Sequence, residues 1–164
     1  MAAADDILAL DNQVCFALYA ANRAMVARYR PLLSELGLTY PQYLVMLVLW
    51  EAAGQTPPEH MNDQDVGVRV STLGDRLRLD SGTLTPLLKR LEQHGLVSRT
   101  RWQKDERVVR VGLTSVGQAL REKARTIPGQ MLCETGVDTQ RLMALRDELR
   151  SVLAELESPG PNGR

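Results

Sequence analysis

A chain of 164 residues, 44% hydrophobic but only 4% aromatic, is long enough for one domain with a real core, built mostly from Leu, Val and Ala. Its formal net charge of +0 argues against binding nucleic acid by bulk charge. No apolar run reaches the ~18 residues of a membrane span, no charged-then-apolar leader follows Met1, and two distant cysteines with two histidines are thin for a zinc site or a permanent disulfide; a cytoplasmic chain without a cofactor is expected.

Met1 to Leu10 is a small, mostly apolar lead-in. Asp11 or Asn12 is placed to cap a helix running to Tyr29 or Leu36, with a kink or break expected near Arg30 because Pro31 removes a helix donor. In that helix Val14, Leu18, Ala21 and Met25 form one apolar stripe, and Cys15, Tyr19, Asn22, Val26 and Tyr29 a neighbouring one. So wide an apolar face exceeds what one small domain covers, which implies a second copy. Thr39-Tyr40-Pro41-Gln42 reads as a capping box opening a helix from Pro41 to Ala53, apolar all round and therefore central. Gln55 to Gly67, with Pro57 and Pro58, reads as an exposed loop.

A short helix is predicted from Ser71 to Leu77, a turn at Leu79-Asp80-Ser81-Gly82, and a second helix from Thr83 to His94, in which Pro86 suggests a late start. Leu84, Leu87, Leu88 and Leu91 make its buried stripe, and Thr83, Thr85, Lys89, Arg90 and Gln93 its polar side. Gly95 supplies the left-handed residue after the last turn. Strands from Leu96 to Arg101 and Arg107 to Leu113 then flank 102–106, a hairpin with a turn longer than two residues. Helix, turn, helix and hairpin make a winged helix-turn-helix, which lays its second helix in the DNA major groove. Between Lys89 and Arg110 seven basic side chains face three acids, the local excess that phosphates require.

Thr114 caps a helix from Ser115 to about Arg125; Pro128 and Gly129 interrupt, with helix resuming through Cys133. Asp138 caps a last helix, Thr139 to Glu157, carrying Leu142, Leu145, Leu149, Val152, Leu153 and Leu156. Residues 158–164, with two Pro and two Gly, read as a disordered tail. The expected fold is mainly α with a small β wing: a DNA-binding region at 37–113, and a dimerisation region from the helices at 1–36 and 114–157. A dimer sets two reading helices about 34 Å apart and implies a pseudo-palindromic operator in double-stranded DNA.

The segment Leu79-Asp80-Ser81-Gly82-Thr83-Leu84-Thr85-Pro86-Leu87-Leu88-Lys89-Arg90-Leu91-Glu92 resembles the recognition helix of MarR-type transcriptional regulators, and Asp105-Glu106-Arg107 leading to Val111-Gly112-Leu113-Thr114 resembles their wing. Leu10 to Tyr19 and Leu38 to Tyr43 narrow the resemblance to the organic hydroperoxide sensors, over nearly all of Leu10 to Glu157; the segment from Gln55 to Val68 is longer than in that subgroup.

Cys15 lies near the start of its helix, where free N–H groups and the helix dipole favour a thiolate and nearby Asp11 opposes it. On composition alone a small buried cysteine is the commoner outcome; the resemblance implies the peroxide-sensing thiol. It likewise implies that Tyr29 and Tyr40 hydrogen-bond the reactive sulfur, with Tyr19 a neighbour, against ordinary packing of three phenols. Cys15 and Tyr29 are ~21 Å apart along one straight helix, so contact needs a partner subunit or a chain that folds back. The resemblance also implies that Cys133 takes the place of a resolving cysteine, the alternative being an inert interior thiol. For DNA, Ser81, Thr83, Thr85, Lys89 and Arg90 are the helix candidates, Arg107 the wing residue, Asp105 its anchor by resemblance, and Arg99, Arg101 and Lys104 phosphate contacts. The leading expectation is a non-enzymatic repressor that loses its operator when organic hydroperoxide oxidises Cys15 and a disulfide forms with Cys133. A repressor answering a phenolic or lipophilic ligand without thiol chemistry stands second, and a thiol peroxidase third.

Overall fold

A computed structural model describes residues 7–55, 67–102 and 105–158. The chain forms two compact units, divided between Arg125 and Thr126. In the first, a 3-10 turn at Leu10–Asn12 leads into α1 (Val14–Ser34), followed by α2 (Tyr40–Gln55), β1 (Val68–Arg69), α3 (Val70–Leu77), α4 (Ser81–Gln93), β2 (Val97–Trp102), β3 (Asp105–Leu113) and α5 (Ser115–Ala124). The second holds α6 (Ile127–Thr135) and α7 (Thr139–Glu157). No helix among the described residues is long and apolar enough to cross a membrane.

The core is α2 and the leucine stripes packed around it. Tyr43, Val45, Met46, Val48, Leu49 and Trp50 are buried, as are Leu73, Leu84, Leu88, Leu91 and Val111. The box at the head of α2 closes through Gln42: its buried Oε1 accepts from Thr39 N (2.8 Å) and Thr39 Oγ1 (3.0 Å), so the polar group does not go unpaired. At the far end Trp50 Nε1 donates to Gly117 O (2.9 Å), locking α2 to α5. Gly117 sits so close to the chain entering β2 that a Cβ there would lie 1.9 Å from Leu96 O.

Several boundaries differ from expectation. Neither Asp11 nor Asn12 caps α1; both lie in the 3-10 turn, and Gln13 holds the cap position without a side-chain cap bond. Its Nε2 turns back to Ile7 O (2.6 Å) and Ala9 O (3.3 Å). The break near Arg30 does not occur, and α1 continues through Pro31 to Ser34. Pro31 and Ala27, whose carbonyl loses its donor, are both exposed, so the lost bond is not stranded in the core. Pro86 is likewise inside α4, which begins at Ser81 rather than later. The interruption expected near Pro128 falls at 125–126, between α5 and α6, and Pro128 itself sits in the first turn of α6, where no N–H is needed.

The hairpin is tighter than expected. Trp102 pairs with Asp105, leaving two residues between the strands, with an irregularity between Arg101 and Trp102. A third strand, absent from the sequence reading, joins the sheet: β1 pairs antiparallel with β3 in the order β1-β3-β2, with Val68 opposite Val111 and Arg69 opposite Arg110. Other expectations hold. Gly95 has φ 68°, Thr114 Oγ1 accepts from Gly117 N (3.0 Å), and Asp138 Oδ1 accepts from Arg141 N (2.9 Å) at the head of α7. Most of the loop read at 55–67 and nearly all of the tail lie outside the described residues.

The two terminal helices have little of their apolar surface covered. Leu33 is the buried residue of α1, while Val14, Leu18 and Met25 are exposed. In α7 no residue is buried, and Met143, Leu145, Leu149, Val152 and Leu156 are exposed.

Candidate DNA-reading surface and sensor residues

The turn between α3 and α4 is set by Arg78, which takes the left-handed conformation (φ 54°) at the end of α3, a position glycine fills at lower cost. Asp80 then caps α4: Oδ1 accepts from Thr83 N and Oδ2 from Thr83 Oγ1, both at 2.9 Å. The bond to Thr83 N, reinforced by that to its hydroxyl, holds the Asp80 carboxyl below its ordinary pKa. A depressed folded-state value means the cap contributes fully above the ordinary pKa of 3.8 and is lost as pH falls below it. Asn caps equally well and does not titrate. Thermal unfolding of Asp80→Asn from pH 6 downward should therefore lose stability less steeply than wild type; parallel curves would remove Asp80 from the acid response.

With α4 so started, Leu84, Leu88 and Leu91 point inward, and Ser81, Thr83, Thr85, Lys89 and Arg90 are all exposed. Thr85 Oγ1 donates to Ser81 O (2.7 Å). Arg99 of β2 donates through Nε (2.9 Å) and Nη2 (2.5 Å) to Glu92 Oε2, bracing the wing against α4. Arg99 was expected on phosphate; here its guanidinium is held by a carboxylate. At the wing, Asp105 Oδ1 accepts from Arg107 N (3.0 Å), fixing the backbone beneath the exposed Arg107 side chain. Arg101 is exposed, and Lys104 lies outside the described residues. Between α3, α4 and the wing runs a cleft of about 560 Å³ whose polar lining includes Arg69, Ser71, Ser81, Thr85, Arg99 and Arg107. A helix with a hydroxyl-rich and basic outer face, beside an arginine-tipped hairpin, is shaped to meet a phosphate-lined duplex.

The sensor candidates fall into separate groups. Cys15 is the second residue of α1 and is exposed, not a core residue. Tyr19 stands one helical turn on; its Oη accepts from Arg23 Nη1 (2.9 Å), and the Arg23 guanidinium lies 5.6 Å from the ring centre. Tyr29 is near the other end of the same unbroken helix, ~21 Å along the axis from Cys15, so the fold-back route is closed. It meets Tyr40 instead, ring centres 4.9 Å apart. Tyr43 adds a third phenol, 6.1 Å from Tyr29 and 6.4 Å from Trp50. Sequence alone places Tyr43 only within the central helix; its fourteen-residue separation from Tyr29 gives no local signal of their meeting. In the second unit Cys133 is an exposed residue of α6.

Burial raises the pKa of Tyr29 and Tyr40, so both are protonated hydrogen-bond donors at neutral pH. Tyr43 is pushed up to about 12, by burial first and then by the Tyr29 and Tyr40 phenols. A raised folded-state value means its contribution to stability is whole below pH 10 and is lost as pH rises towards 12. Tyr43→Phe should flatten this alkaline loss in urea unfolding between pH 9 and 11.5. An alkaline limb identical to wild type would show that other groups carry it.

Helix-turn-helix, wing and a central apolar helix define a winged-helix transcriptional regulator. A family model of the SarA/Rot transcriptional regulators matches residues 27–124. The chain is 44% identical over 151 residues to the organic hydroperoxide resistance transcriptional regulator of Bacillus subtilis (strain 168), covering 92% of this chain and 94% of that protein. It is 46% identical over 154 residues to the HTH-type transcriptional regulator TtmR of Methylorubrum extorquens (strain PA1), covering 94% and 72%. Among solved structures it is similar to AbfR of Staphylococcus epidermidis: the reduced, DNA-bound form is 33% identical with a TM-score of 0.69 over 93% of this chain and 97% of that one. The disulfide form of AbfR, covering 93% and 94%, gives 0.59 at 34% identity. The chain belongs to the SarA/Rot family of transcriptional regulators and, by its relative in Bacillus subtilis, to the organic hydroperoxide resistance regulators.

Proposed function

We propose that the protein is a homodimeric cytoplasmic repressor that holds pseudo-palindromic operator DNA while Cys15 is a thiol and releases it when organic hydroperoxide oxidises that sulfur. The observation that carries this reading is the length of α1. An exposed Cys15 and Tyr29, which meets Tyr40 of α2, lie towards opposite ends of one unbroken helix, so the Tyr29 phenol reaches the sulfur only from a second copy. The exposed apolar side chains of α1 and of α7 are the surfaces such a copy would cover. Residues 37–113 read DNA; 1–36 and 114–157 pair the subunits.

The Cys15 thiolate attacks the outer peroxide oxygen, the O–O bond breaks, and the alkoxide takes a proton to leave as alcohol, giving a sulfenic acid. The Cys133 thiolate then attacks that sulfur and expels hydroxide, which is protonated to water, closing a disulfide. The α-carbons must come within about 7 Å for this bond, and the movement respaces the two α4 helices on DNA. That AbfR has been seen both reduced on DNA and in a disulfide form supports a thiol-governed switch in this family. The test is DNA binding by fluorescence anisotropy before and after one equivalent of organic hydroperoxide, on wild type, Cys15→Ser and Cys133→Ser. A thiol peroxidase would consume many equivalents with a reductant; a sensor reacts about once per thiol.

A further inference from the structure

The sequence's basic run begins at Lys89, but the fold adds a cation from twenty residues earlier. The strand β1 sets Arg69 directly opposite Arg110 of β3, and like charges in that position repel. Both guanidinium groups lie against the Trp102 ring, 5.7 Å and 5.4 Å from its centre. Trp102 is the last residue of β2, paired with Asp105, whose carboxylate holds the Arg107 backbone. The ring therefore draws Arg69 toward the wing tip. Arg110 is also tied to Gly67 O through Nη1 (3.2 Å) and is half-buried. Arg69 is exposed, makes no ion pair among the described residues, and lines the same cleft as Ser81, Thr85 and Arg107.

We propose that Arg69 is a further DNA-phosphate contact and that Trp102 is a positioning residue presenting its guanidinium by stacking beneath it. This rests on the DNA-reading proposal above. A guanidinium on an aromatic face keeps its N–H edges outward, free for phosphate oxygens. The contact carries no base information, so it strengthens binding to any duplex alike.

The probe is a labelled duplex selected by wild type from a random pool, with a scrambled duplex of equal length, each titrated by anisotropy across a salt series. Arg69→Ala should weaken both about threefold to tenfold and reduce the log–log salt slope by about 0.9 per subunit engaged. Arg69→Lys should keep the slope. Trp102→Ala should reproduce most of the Arg69→Ala loss and add little to it in the double variant, while Trp102→Phe, which keeps an aromatic face, should restore binding. If Arg69→Ala leaves affinity and slope unchanged while Lys89→Ala weakens both, the Arg69 contact is wrong and the DNA-reading surface stands. Trp102→Phe as poor as Trp102→Ala, with melting unchanged, overturns the positioning role. No salt-dependent binding by wild type sinks both.

Discussion

Cys15→Ser is expected to bind the selected operator as tightly as wild type and to keep it through treatment with organic hydroperoxide, while wild type weakens at least tenfold, about 1.4 kcal/mol. The substitution changes one exposed atom on the second residue of α1, far along the chain from the α4 face, so the reduced-state affinity has no reason to move. A serine hydroxyl is not a nucleophile toward peroxide at neutral pH, and the chemistry stops before its first bond. Cys133→Ser should differ in kind: its Cys15 still reaches the sulfenic acid, but non-reducing electrophoresis should show no disulfide-linked species. Release of DNA by treated Cys15→Ser would transfer the switch to a ligand or another group. A disulfide-linked species from treated Cys133→Ser would end the resolving role of Cys133.

The second large effect concerns packing. Gly117→Ala should lower stability by about 3–5 kcal/mol and the melting temperature by about 10 °C or more for a chain of this size. The new Cβ would stand 1.9 Å from Leu96 O and 2.9 Å from Leu96 C, both backbone atoms that cannot swing aside. Leu96 O already accepts from Thr114 N, Gly117 N donates to Thr114 Oγ1, and Gly117 O accepts from Trp50 Nε1. Pushing α5 away from the entrance of β2 therefore strains the cap of α5 and breaks the buried indole bond to α2. Gly129→Ala is the control. A Cβ at Gly129 meets nothing within 4 Å, and alanine favours a helix, so its melting point should hold or rise. Equal melting of the two variants would mean that α5 yields easily.

How far the sequence alone carries depends on the range of the interaction. The leucines of α4, the caps at Thr114 and Asp138, the Thr39–Gln42 box and the left-handed Gly95 all act across three or four residues, and the pattern Leu84, Leu88, Leu91 buries one face wherever the helix docks. The exposed polar face of α4 follows from the same local order; the Asp105 anchor under Arg107 is legible only through the family resemblance, and Cys15, for which composition favours burial, is exposed. Proline misled at Pro31 and Pro86, because its cost depends on whether the freed carbonyl faces solvent, which the helix pattern does not reveal. The two-residue strand β1 was invisible, since no periodicity shows in Val68–Arg69 and only the edge of β3 makes it a strand.

Contacts between separate elements were decided by the tertiary structure alone. Arg99 turns to Glu92, Tyr29 stacks on Tyr40 and Tyr43, Trp50 reaches Gly117, and Arg69 lies on Trp102. Each joins residues on different elements, so their meeting is fixed by how whole elements pack. The residue types that can do the chemistry are written along the chain. Which of them face each other, and that an unbroken α1 separates Cys15 from Tyr29, follows from burying one apolar core with its backbone hydrogen bonds satisfied.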